Sequence, residues 1–216
     1  MGRGSPPLER TVTTTRATLR TKPLETLWAL MIFTLVGLVT NCGENIQLGG
    51  EEEADLSNPK THRSGDLSFA YPGNWEIGVD QVTTSFHNLF INTPGTGIVI
   101  LQTYPIEFAD DLKTFAGEFS ESGAAFASAL GSVKNSVLTE LPSKGGYAWL
   151  REDFEMEVAL LPISVPHRRL YASKDVGDRR IFLILQVAEE DYPKVGKGFG
   201  LIGDSLTSES MPNKAE

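Results

Sequence analysis

Hydrophobic and polar positions repeat with two different periods along this chain, and each change of period marks an element. Four strand-like runs come first, at 67–71, 75–79, 85–92 and 97–104, separated by the turn signals Pro72-Gly73-Asn74 and Pro94-Gly95. They follow one another too closely for helical crossovers, so antiparallel hairpins are expected. The spacing then lengthens to three and four. Leu112, Phe115, Ala116, Phe119, Phe126, Ala127 and Leu130 share one helical face, behind Asp110 or Asp111 as the amino-terminal cap. Gly117 and Gly123 weaken this helix by up to about 1 kcal/mol each, so packing on a sheet has to supply much of its stability.

Four more strands are predicted at 133–141, 147–158, 167–173 and 180–188. In the second of these, Ala148, Leu150, Phe154, Met156 and Val158 lie on one face, interrupted by Glu152. Tyr147, Trp149, Arg151, Asp153, Glu155 and Glu157 lie on the other, so one face is expected to pack and the other to be charged. The run Ile181-Phe182-Leu183-Ile184-Leu185 does not alternate, as in a central strand covered on both sides. Asp191-Tyr192-Pro193 opens a last helix whose apolar stripe is Tyr192, Val195, Phe199, Ile202 and Leu206. The predicted order is β-β-β-β-α-β-β-β-β-α, an α+β fold with a largely antiparallel sheet flanked by two helices.

Ahead of this domain, residues 27–39 read LWALMIFTLVGLV, an uncharged apolar run. Thirteen residues are too few for a bilayer core about 30 Å thick, which takes roughly 20 in a helix, but they suit a signal-peptide core. Arg3, Arg10, Arg16, Arg20 and Lys22 precede it against Glu9 and Glu25, a bias that keeps this end cytoplasmic. Val39-Thr40-Asn41-Cys42 follows at once and resembles a bacterial lipobox, with Asn41 bulkier than the usual small residue. The resemblance implies lipidation of Cys42, the chain's only thiol, and cleavage before it, with 1–41 as a lipoprotein signal peptide. Two acyl chains or more would then hold the protein at a membrane. An uncleaved signal anchor and a buried structural cysteine are the alternatives. Residues 42–65, with Glu51-Glu52-Glu53, Asn58-Pro59 and Ser64-Gly65, read as a flexible acidic tether. The domain is expected at 66–206 and a disordered tail at 207–216.

Composition narrows the function. The formal charge is −9, and the 175 residues after the expected cleavage carry −12, which repels a phosphate backbone and argues against nucleic acid. One cysteine and three histidines cannot furnish an intramolecular disulfide or an ordinary Cys/His zinc cage, and no metal or cofactor is expected. The sequence has no G-x-S-x-G elbow, phosphate loop, G-x-G-x-x-G or H-E-x-x-H motif. His62 falls in the tether, His87 on a strand, and His167 beside Arg168 and Arg169, none in a recognisable catalytic setting.

The segment Leu67-Ser-Phe-Ala-Tyr-Pro-Gly-Asn-Trp-Glu76 resembles the "F-x-Y-P-x-x-W" opening of the PsbP-like superfamily. Gly145-Gly146-Tyr147, the 181–187 run, Glu190-Asp191-Tyr192 and Ile202-Gly-Asp-Ser-Leu206 match it in order, so the likeness covers about residues 66–206. It implies an α-β-α sandwich and does not imply catalysis; its members include a photosystem II extrinsic subunit, a Ran-binding protein and bacterial lipoproteins. The expectation is a noncatalytic binding or assembly domain, lipid-anchored in the bacterial cell envelope and facing the periplasm or exterior, with a membrane and an unidentified protein as partners. An enzyme with a His/carboxylate site and a purely structural envelope protein remain the alternatives. Tyr147, Trp149, Arg151, Arg168 and Arg169 are the candidate partner-binding residues, since exposed aromatics and arginines are enriched in interface hot spots. The plainer reading of the same residues is a solvated strand face with cross-strand charge pairs.

Overall fold

A computed structural model describes residues 50–208 apart from 66, 84, 128–130 and 159–162. Its strands are β1 (Lys60–Ser64), β2 (Leu67–Tyr71), β3 (Glu76–Val82), β4 (His87–Asn92), β5 (Ile98–Pro105), β6 (Gly131–Lys144), β7 (Tyr147–Val158), β8 (Ser164–Val176), β9 (Arg179–Ala188) and β10 (Thr207–Ser208). The helices are α1 (Leu112–Ala127) and α2 (Tyr192–Ser205). Seven strands form one sheet in the order β3-β4-β5-β9-β8-β7-β6, with every neighbouring pair antiparallel. A small sheet, β1-β2-β10, accompanies it. The fold is α+β, with the expected order of elements extended by a strand at each end.

Local chemistry sets the boundaries. Asp111 caps α1, its Oδ1 accepting hydrogen bonds from the backbone N–H groups of Lys113 at 2.9 Å and Thr114 at 3.1 Å. These bonds hold the Asp111 carboxyl below its ordinary pKa, the Thr114 amide being the largest cause. Gly145 and Gly146, both at positive φ, make the two-residue turn between β6 and β7. The central strand β9 is buried on both faces, as its unbroken apolar run predicts.

One face of the large sheet supplies the main core. Leu89, Ile91, Val99, Leu101, Leu170, Ala172, Leu183 and Leu185 lie with Val195, Phe199 and Ile202 of α2 and with Leu67 and Phe69 of β2. Gly198 permits this approach: a Cβ there would stand 2.7 Å from Pro72 Cγ and from Trp75 Cζ2. On the opposite face, Phe115 of α1 stacks on Phe182 with centroids 3.8 Å apart, and Phe119 meets Tyr171 edge-on.

Two domain boundaries differ from the sequence reading. Within the expected tether, 60–64 is a strand paired along its length with β2, and Glu51 and Ala54 are buried. Glu51 accepts hydrogen bonds from Thr93 Oγ1 at 2.8 Å, from Gly95 N at 3.1 Å and from Gly97 N. Ala54 N donates to Lys194 O at 3.1 Å. A run of acidic residues lacks an apolar period, so only the partners reached through the fold reveal that one carboxylate is an anchor. At the other end, Thr207 and Ser208 of the expected tail pair with β2. The proposed signal segment, Cys42 and 209–216 lie outside the described residues.

Candidate partner-binding surface

Alternation along β7 sends the five candidate residues to two different places. Tyr147, Trp149 and Arg151 lie on the α2 face, and Arg168 of β8 joins them there because it pairs with Asp153. Arg169, one residue on, points through the sheet to the α1 face.

The expectation that Tyr147 and Trp149 are exposed is corrected by α2. Tyr147 is only 4% exposed; its hydroxyl donates to Gly203 O at 2.9 Å, and its ring lies 5.2 Å from Lys174 Nζ. Burial, with Asp204 nearby, pushes its pKa up to about 12, so the phenol stays a donor. Trp149 is half-buried, edge-on to Phe199 at 5.9 Å, and its Nε1 donates to Lys144 O at 3.2 Å. The charged face expected on β7 is therefore an aromatic contact at one end and charged only from Arg151 onward.

Arg151 Nε sits 2.8 Å from Asp153 Oδ1. Arg168 donates to Glu189 Oε1 at 2.5 Å and lies over the Tyr192 ring, 4.3 Å from its centroid. Tyr192 in turn lies along α2, where a Cβ on Gly196 would come within 3.0 Å of its ring. Beside this stack runs a cleft of about 550 Å³, lined by Leu56, Lys144, Tyr192, Pro193, Lys197 and Asp204 among others. Gly196 and Gly200 of α2 also line it. Tyr192, Lys144 and Lys197 were absent from the sequence-based candidates. The available signal for Tyr192 was its place at the start of the last helix and at the head of that helix's apolar stripe, which indicated packing and not a binding surface.

Arg169 has another role. It is 4% exposed and Glu152 is wholly buried, with Arg169 Nη1 2.8 Å from Glu152 Oε2. Tyr171 OH donates to that oxygen at 2.6 Å, while Ser120 Oγ and Ser136 Oγ donate to Oε1 at 2.5 and 2.7 Å. Gln186 accepts from Arg169 Nε at 2.9 Å, and the guanidinium stands 4.8 Å from the Phe154 ring centroid and 5.3 Å from that of Phe119. Burial opposes ionisation of Glu152, but Arg169 and the three hydroxyls outweigh it and hold the carboxyl below its ordinary pKa. Arg169 is thus an internal tie between α1 and the sheet and is removed from the contact surface.

The histidines also find structural places. His62 on β1 and His87 on β4 direct Nε2 at the two oxygens of Asp80, at 2.9 and 2.7 Å. Burial alone would raise the Asp80 pKa; hydrogen bonds from Ser64, His87 and His62 lower it. His167 stacks on Phe154 and its Nδ1 donates to Val165 O at 3.0 Å; burial lowers its pKa and favours the neutral ring. No histidine is among the residues lining the cleft. Among the described residues, no group of three or more His, Cys, Asp or Glu side chains could hold a metal ion. No helix among them is long and apolar enough to cross a membrane.

No protein-family model and no curated protein matches the chain. Solved structures similar to it include cyanobacterial PsbP (CyanoP) from Synechocystis sp. PCC 6803, at 10% identity and a TM-score of 0.47, covering 78% of this chain and 99% of that one. LpqN of Mycobacterium tuberculosis, involved in cell envelope biogenesis, is similar at 9% identity and a TM-score of 0.37, covering 69% and 90%. The Saccharomyces cerevisiae Ran-binding protein Mog1p is similar at 12% identity and a TM-score of 0.35, covering 68% and 86%.

Proposed function

We propose that this chain is a bacterial envelope lipoprotein that displays a noncatalytic, PsbP-like binding domain beside a membrane. The observation that carries the reading is the position of the only thiol, Cys42, three residues after an uncharged apolar run of signal-peptide length. Lipid on that sulfur, with a second acyl signal on the freed amine, holds the protein in place, and the domain faces the periplasm or the exterior. Metabolic labelling with a clickable fatty acid tests this. Wild type takes up label, Cys42→Ser does not, and label retained in the variant overturns the assignment.

The domain's work on this reading is protein docking at the α2 face. Trp149, Arg151 and Arg168, with Tyr192, place aromatic surface and guanidinium groups at the edge of the cleft, the combination enriched at interface hot spots. Tyr147 supports this surface from beneath by bonding α2 at Gly203. Cross-linking in cells, read by mass spectrometry, compares wild type with Arg168→Ala and with Lys197→Glu. Loss of a specific adduct in both, with circular dichroism unchanged, supports the surface; adducts unaffected by either variant exclude it.

A further inference from the structure

Among the described residues, Glu51 is the first after the proposed anchor to be pinned through its side chain, and its position limits how the domain can face a membrane. Its carboxylate is buried against the β4–β5 turn, where Thr93, Gly95 and Gly97 donate to it, and the neighbouring Gly50 lies beside Asp191 and Lys194 at the start of α2. Only eight residues, 43–50, separate it from Cys42. Nine Cα–Cα steps span at most about 30 Å even when fully extended.

The register places the pin at one end of the large sheet. Ile98 pairs with Gln186 there, while Pro105 pairs with Arg179 at the other end. The ten residues of β9 between these ends extend about 33 Å. The far end carries the Ile106–Phe108 turn, with Phe108 63% exposed, and the Gly177-Asp178 turn. We infer that the Glu51 pin acts as a short leash holding the Thr93–Gly97 end of the domain toward the lipid surface and presenting the Phe108 end away from it. The inference rests on lipidation at Cys42 and adds an orientation to it. Of the expected tether, Glu51, Ala54 and residues 60–64 are bound into the domain, which leaves eight residues between Cys42 and the pin.

The test uses the mature protein, purified from membranes with its anchor and reconstituted into phosphatidylcholine vesicles containing a lipid-bound acceptor dye. A donor dye is placed on Thr96→Cys at the pinned end or on Asp178→Cys at the far end, both exposed positions. Energy transfer at least twofold greater from 96 than from 178 is expected. Inserting twenty Gly/Ser residues between 44 and 45 brings the two values together. Equal transfer without the insertion, or greater transfer from 178, in protein that floats with the vesicles overturns the orientation while leaving the anchor intact. Failure to float overturns the anchor and the orientation with it.

Discussion

Arg169→Met is the substitution whose consequence the structure defines most sharply. Methionine fills much of the volume between Phe119 and Phe154 but leaves Glu152, wholly buried, without its cation. Removing one partner of a buried ion pair costs about 3–5 kcal/mol, since the remaining charge has been taken out of water with nothing to neutralise it. The loss here belongs toward the lower end of that range, because Ser120, Ser136 and Tyr171 still donate to the carboxylate. With a urea m-value of about 2 kcal/mol/M, the denaturation midpoint falls by roughly 1.5 M. The dependence on pH is the stricter test. In the wild type the Glu152 pKa lies below its ordinary value, so its stabilisation is present above that value and is lost as pH falls through the folded pKa. In Arg169→Met the main lowering charge is gone and burial raises the Glu152 pKa, so the carboxyl takes up a proton in mild acid and the penalty is relieved. The gap between variant and wild type therefore narrows from pH 7 to pH 5. Urea titrations at both pH values measure it. A loss below about 1 kcal/mol at pH 7 with native circular dichroism, or a gap that does not narrow, refutes the reasoning.

Two further substitutions probe the packing that presents the α2 face. Gly198→Ala puts a methyl group 2.7 Å from Pro72 and Trp75, so α2 has to shift; a loss of about 1–3 kcal/mol is expected in thermal denaturation, and an unchanged melting temperature would show that the helix has room to spare. Asp80→Asn removes the charge shared by His62 and His87 between β1 and the β3–β4 pair. It costs about 1–3 kcal/mol at pH 7, a difference that begins to shrink near the ordinary Asp pKa, is lost as pH falls through the lower pKa of folded Asp80, and is read by guanidinium titration across pH.

Much of the fold was legible because it rests on period and punctuation. The strands of β2 to β5, the unbroken run of β9 and the stripe Val195-Phe199-Ile202 all follow from side-chain spacing, and a cap at Asp110 or Asp111, resolved by the structure to Asp111, follows from local backbone chemistry. The candidate site was legible only in part. Trp149, Arg151 and Arg168 were identified by residue type, but their shared face with Tyr192, and the cleft beside it, depend on where α2 comes to rest.

What the amino-acid order determines by itself is whatever depends on neighbours within a few residues: the apolar run before Cys42, the two helical stripes, the antiparallel hairpins and the acidic net charge. The tertiary structure alone decided which charges are buried and which elements close the fold. Glu51, Glu152 and Arg169 look like solvated residues in the chain, yet each is removed from water because groups 16 to 46 positions away supply its hydrogen bonds or its countercharge. A polar side chain carries no periodic signal for such partners. Its burial becomes affordable only when the sheet and helices bring enough donors, acceptors or opposite charge to one point.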